Sequence, residues 1–159
     1  MLKGPLRDKG AKRPELGGGP APGAFPAIAN AREAAHWLQV LEAERSEVLE
    51  ALHTLQQRFE AEVGAPAARL MLRRSGGLIW RLRAAAPSGQ TPFELTSVTG
   101  RSLLQSLPPR LRRVYLNAEA ERLRLNARYR IANTATRCLA HYLDRYGQVR
   151  ALRKSSETK

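Results

Sequence analysis

Cys138 stands three residues before His141, one helical turn apart if that stretch is helical. A thiol beside an imidazole is the start of a nucleophile–base pair, but such a pair also needs an orienting group and an oxyanion site. The sequence supplies neither, so Cys138 reads as an ordinary small thiol. His36 and His53 stand apart from it and from each other, with no second ligand type at metal spacing, and read as surface residues. One cysteine excludes an internal disulfide and a zinc cluster. No GxGxxG, P-loop, HExxH or CxxC pattern occurs, and Gly76-Gly77 lacks the lysine and helix of a phosphate loop. The reading is of a non-enzyme with no metal, no cofactor and no catalytic residues.

Arginine is the residue type that remains. The 159 residues carry 27 Lys+Arg against 14 Asp+Glu, a net charge of +13. Lysine supplies 5 of the 27 and arginine 22. A GC-rich genome would explain arginine over lysine, but not basic over acidic. A pI near 11.1 points to a polyanion, meaning DNA, RNA or the ribosome. The charge is segregated: residues 31–63 carry a net −4, residues 64–100 a net +4 and residues 101–159 a net +10. The protein is expected to have a binding face and a back.

Two arginine groups are candidates for nucleic-acid contact. Arg69, Arg73, Arg81 and Arg83 alternate with apolar residues, with Arg74 at the turn between the halves. Arg110, Arg112 and Arg113 open a later helix, and Arg122 and Arg124 lie further along it. Arginine suits bidentate contacts to phosphate or guanine, and a two-stranded ribbon fits a major groove. Cations at a helix N-terminus oppose its dipole, which invites a functional reason for that cluster. Aromatic residues are 6% of the chain and Trp80 is expected inward. Duplex DNA is therefore favoured over a stacked single strand, with RNA the nearest alternative.

These side chains need elements to hold them. Asn30 and Glu33 form a capping-box pattern, and Gly64 with Pro66 ends the helix they start. Between them Ala34, Leu38, Leu41, Val48, Leu52, Leu55 and Phe59 follow steps of four and three, interrupted at Arg45, a heptad stripe that needs a partner helix. At residues 67–84 the period becomes two. Leu70, Leu72, Leu78, Trp80 and Leu82 make an inner face, and Ser75-Gly76-Gly77 makes a hairpin turn. Phe93 to Val98 is available as a third strand after the Pro87-Ser88-Gly89 loop. Leu103, Leu104 and Leu107 mark a short helix ended by Pro108-Pro109. The last helix, about 35 residues long, carries Leu111, Val114, Ala118, Leu125, Ala132, Ala135, Leu139, Tyr142 and Tyr146, with polar gaps at Glu121 and Arg128.

The expected fold is α+β and mostly α: two long antiparallel helices with a β-hairpin, extendable to three strands, inserted between them. Residues 1–29 read as a disordered Gly/Pro-rich basic tail, with Phe25 and Ile28 placed to staple the first helix. Residues 30–150 read as one domain and 151–159 as a basic disordered end. No apolar run is long enough to span a membrane, and with one cysteine and no secretory signal the expected location is cytoplasmic. The competing class is a coiled-coil interaction protein whose heptads pair between chains, as a homodimer, and whose arginines meet an acidic protein.

Short motifs add a likeness. Leu78-Ile79-Trp80-Arg81-Leu82-Arg83, then Leu107-Pro108-Pro109, then Glu121-Arg122-Leu123-Arg124-Leu125-Asn126 give an order that resembles small uncharacterised proteins carried by bacterial integrative and conjugative elements and plasmids. The resemblance covers roughly residues 31–150. It implies a cytoplasmic bacterial protein working near DNA replication, transfer or integration control, and it carries over no catalytic residue.

Overall fold

A computed structural model describes residues 28–83 and 91–157. Residues 1–27 of the expected tail, with Phe25, the Pro87-Ser88-Gly89 loop and the last two residues lie outside the described residues; Ile28, expected to staple α1, is exposed. The order is α1 (Ala31–Val63), β1 (Ala68–Leu72), β2 (Leu78–Leu82), β3 (Pro92–Phe93), α2 (Val98–Ser106) and α3 (Pro109–Glu157). The class is α+β, mostly helical, with the sheet set between the two long helices, as the periodicity requires.

The caps of α1 work as their residue types dictate. The Asn30 side chain accepts from the Glu33 amide at 2.9 Å, and Glu33 Oε2 reaches back to the Ala29 amide at 2.9 Å. Gly64 takes φ +74° and donates to the Glu60 carbonyl at 2.9 Å, closing the helix. The α1 stripe buries Ala34, Val48, Leu52, Leu55 and Phe59. Its partner is α3 of the same chain, the antiparallel pairing of the expected fold.

The two helices run antiparallel: Phe59, late in α1, meets Tyr115, early in α3, while Glu44 reaches Arg128. The polar gaps in the α3 stripe are thereby explained. Glu121 pairs with Arg58, and Arg128 donates to Glu44 from both Nε and Nη2, so each gap holds an interhelical ion pair.

β1, β2 and β3 form one antiparallel sheet in that order. Leu70 faces Trp80, Leu72 faces Leu78 and Arg69 faces Arg81 across the hairpin. Ala68, Leu70, Leu78 and Trp80 are buried and close the core with the helices, so the expected register holds. Trp80 stacks on Tyr115 with centroids 5.3 Å apart, and Phe59 meets both rings edge-on at 5.1 and 4.9 Å.

Two boundaries differ from expectation. The third strand is only Pro92–Phe93, because Ser97 caps α2 by accepting from the Gly100 amide and Val98 is already helical. The last helix has 49 residues and continues through 151–157, where a disordered end was expected. No proline follows Pro109 and Gly147 is absorbed in the helix, so nothing in the sequence stops it. After Ala140 every residue to Glu157 except Leu143 is exposed, including Tyr142 and Tyr146, which the periodicity put in the buried stripe. They lie past the first turn of α1, with no helix opposite among the described residues. Among the described residues no helix is long and apolar enough to cross a membrane.

Candidate nucleic-acid interface

The hairpin is held by α3 at three levels. The Tyr115 hydroxyl donates to the Ala68 carbonyl at 3.0 Å and accepts from the Ala68 amide at 3.3 Å, closing the outer edge of β1. Glu119 Oε2 accepts from the Trp80 indole at 2.7 Å. Asn126 accepts from the Leu78 amide at 2.8 Å and donates to the Leu78 carbonyl at 2.9 Å. The turn then abuts Tyr129: a Cβ on Gly76 would stand 2.1 Å from that ring, and Gly76 itself has φ +83°. Tyr115, Glu119, Arg122, Asn126 and Tyr129 are spaced four, three, four and three, a sheet-facing row beside the row that meets α1.

Arg122 belongs to this row and not to the surface. It is 3% exposed. Its Nε and Nη2 donate to the two Glu119 oxygens at 2.6 and 2.9 Å, Nη1 to the Leu78 carbonyl at 3.0 Å, and Nη2 also to Glu94 at 2.7 Å. Burial alone would lower its pKa, but the bonds and charges of Glu119 and Glu94 outweigh that and raise it. The Glu119 carboxyl, which burial would push up, is held below its ordinary value by the Arg122 and Trp80 bonds and the Arg122 charge. With all its donors turned inward, Arg122 is corrected from a phosphate contact to a fold-bearing ion pair.

Arg112 is corrected too. Its Nε donates to the Leu104 carbonyl at 2.8 Å and its Nη2 to the Leu107 carbonyl at 3.2 Å. It caps the C-terminal end of α2, where a cation matches the helix dipole. The charge that looked misplaced at the start of α3 serves the end of the neighbouring helix.

The remaining arginines divide into two surfaces. Arg69 and Arg81 lie half-buried and directly opposed on the outer face of the hairpin. Arg73 and Arg74 sit exposed at its turn, and Arg83 follows β2 beside the depression that Arg69 also lines. Met71 and Ile79, opposite each other, make an apolar strip between the two ends. A groove of about 620 Å³ crosses this face, lined by Met71, Arg73, Arg74, Ile79, Arg81 and Pro92 among others. Arg110, Arg113 and Arg124 are exposed on α3. Arg124 is two residues from the sheet-facing Arg122, so it points to the far side of the helix, and α3 does not extend the hairpin face as the sequence suggested.

Among the described residues the ion pairs are Arg58–Glu121, Arg122–Glu94, Arg122–Glu119 and Arg128–Glu44, so all five hairpin arginines lack a carboxylate partner. Arg81 Nε is buried and has no hydrogen-bond acceptor. Like charges directly opposed across an antiparallel pair destabilise it, and a buried donor left unpaired adds to that cost.

Cys138 is free and exposed on α3, and no group of three or more His, Cys, Asp or Glu able to hold a metal occurs among the described residues. Sequence reasoning missed Tyr115, Glu119, Asn126 and Tyr129. An inward Trp80 needs an acceptor for its indole N–H, and Glu119, three residues before Arg122, was the signal for one. Scans against protein-family models, curated proteins and solved structures find no match to this chain.

Proposed function

We propose that this protein binds nucleic acid, duplex DNA in preference to RNA, through the outer face of the β1–β2 hairpin, and that it acts by binding and not by catalysis. The observation that carries the reading is the Arg69–Arg81 pair: two cations directly opposed, neither in an ion pair among the described residues although Glu60 and Glu94 line the neighbouring depressions, and the Nε of Arg81 without an acceptor. A phosphate between the exposed ends of the two guanidiniums would screen their repulsion. Arg73, Arg74 and Arg83 extend the contact along the backbone, and of the acidic α1 Glu60 borders the face beside Arg69 and Arg83. The resemblance drawn from the short motifs fits an accessory or regulatory role beside DNA replication, transfer or integration in a bacterial cytoplasm.

The test is a titration of labelled duplex DNA over a range of salt. With five to eight phosphates neutralised, log affinity should fall with log salt at a slope of roughly −5 to −7. Replacing Arg69 and Arg81 together by Ala should weaken binding and flatten the slope by about 2, with the fold intact. A salt-independent isotherm, or none at low salt, defeats the reading; preference for structured RNA over duplex in competition redirects it.

A further inference from the structure

Where α3 runs past α1 it keeps a patterned face with no helix opposite among the described residues. Tyr142 and Tyr146 are 37% and 45% exposed, and Val149 beside them is exposed too. They continue the α1-facing stripe of α3 beyond its last buried residue, Leu139. At 100° per residue, Tyr142, Tyr146, Val149 and Arg153 fall within about 60° of one another, with Arg145 on one flank and Arg150 on the other. These six residues line one groove of about 470 Å³. The tyrosine rings stand 6.0 Å apart and are tilted by 31°, so neither lies flat on the other. No carboxylate lines this groove, whereas Glu94 and Glu60 line those beside the hairpin. Asp144 lies on the opposite side of the helix, and Glu157 stands one turn beyond Arg153. None of the three arginines is in an ion pair among the described residues, and Arg145 donates to the neutral Gln148 at 3.3 Å.

We infer that this groove binds an unpaired strand of DNA, with bases stacked on Tyr142 and Tyr146 and phosphates held by Arg145, Arg150 and Arg153. The pattern favours a strand over a packed helix. Arg153 sits in the middle of the stripe, so a helix laid there would bury its charge, which is costly without a matched partner. A nucleic-acid strand brings a phosphate to it instead. Arginines on both flanks with no acid between them match a polyanion. Every base has a π face, so two exposed tyrosines one turn apart accept a strand whatever its sequence. No carboxylate or carboxamide lines the groove to mark a 2′-hydroxyl, which favours DNA over RNA.

The site is separate from the hairpin. Tyr129, which meets the hairpin turn, stands about 20 Å along the helix before Tyr142. A duplex keeps its base faces closed against one another and offers these rings nothing, so the two surfaces take different forms of nucleic acid. The inference stands whether or not the hairpin binds duplex DNA. From Tyr142 to Arg153 the face is about 16 Å long, enough for a few nucleotides and a contact of modest strength.

Fluorescence anisotropy of a labelled oligothymidylate about 12 nucleotides long, titrated with the full chain from about 50 mM salt upward, reads this directly. Binding is expected, with log affinity falling against log salt at a slope of about −2 for three phosphates neutralised on a single strand. Tyr142→Ala and Tyr146→Ala should each weaken it about tenfold. Tyr146→Leu returns apolar bulk without a π face and should be no better than Tyr146→Ala, whereas Tyr146→Phe should bind as the parent does. An oligomer of the same length and charge built from abasic sites should bind at least about tenfold more weakly. Equal affinity for the abasic oligomer, or for oligothymidylate in the Tyr142→Leu, Tyr146→Leu double variant, overturns the inference, because charge alone would then account for binding. Absence of binding overturns it as well, also where the groove takes up a synthetic helix flanked by glutamates. So does tighter binding of the matching oligouridylate. A chain that binds oligothymidylate but no duplex defeats the hairpin reading and leaves this one standing; the reverse defeats this one alone.

Discussion

Asn126 of α3 brackets the backbone of Leu78 in β2, accepting from its amide at 2.8 Å and donating to its carbonyl at 2.9 Å. Leu78 is fully buried and stands where β2 leaves the turn, beyond the reach of β3. The side-chain amide acts as one residue of a missing strand. Asn126→Ala leaves the Leu78 amide without an acceptor, while Arg122 still serves the carbonyl. The expected loss is about 1–3 kcal/mol in urea unfolding, with faster exchange of the Leu78 amide proton.

Glu119 joins Trp80 to Arg122, and its removal leaves the buried guanidinium with Glu94 as its one carboxylate. Glu119→Ala should cost about 3–5 kcal/mol, and Glu119→Gln less, because an acceptor for the indole remains. The pH dependence has a definite sign. The folded-state pKa of Glu119 lies below the ordinary 4.5, so its contribution is complete above that value. It is lost as pH falls through the lower, folded-state value. Acid unfolding of Glu119→Gln should therefore fall less steeply with pH than that of the parent chain.

Gly76 meets Tyr129 with no room for a methyl group, in a left-handed conformation. Gly76→Ala should destabilise by about 1–3 kcal/mol. Adding Tyr129→Ala removes the collision but not the backbone strain. The double variant should thus lie closer to Tyr129→Ala alone than additivity predicts, as thermal melts of the four proteins would show.

Arg112 tests the division between structure and binding. Arg112→Ala should lower stability by about 0.5–1.5 kcal/mol through loss of the α2 cap. The salt slope of DNA binding should stay unchanged. A slope reduced by about 1 would return Arg112 to the interface.

Arg81 should behave in the opposite manner. Arg81→Leu removes the repulsion from Arg69 and the unpaired buried donor, and should raise stability by up to about 1 kcal/mol. DNA affinity should fall with the same change. Loss of both stability and affinity would mean that Arg81 holds the sheet.

The periodicity of the sequence was enough for α1, the hairpin register and the inner face of the sheet, because each follows from apolar spacing along a single element. Arg122 and Arg112 were misread for one reason. Both lie on α3 among exposed arginines, and spacing along a helix cannot tell which of its faces meets the sheet or a neighbouring helix end. Of the partners that settle their roles, Leu78 and the carbonyls closing α2 come from other elements, and Trp80, which fixes Glu119 beside Arg122, from the sheet. The end of α3 was misjudged because the apolar stripe fades before the helix does. Helix formers with no breaker carry it on to Glu157 without packing.

The bonds that hold the hairpin in place bridge 39 to 48 residues, and those between the long helices bridge 63 and 84. During synthesis the acidic helix and the arginine hairpin leave the ribosome before the α3 residues that hydrogen-bond to them. A two-stranded ribbon with an apolar face is marginal by itself, and this one waits for Tyr115 through Tyr129. The fold is therefore closed late and from its C-terminal side. A chain cut short before Tyr115 would carry the whole hairpin and still be unable to keep it.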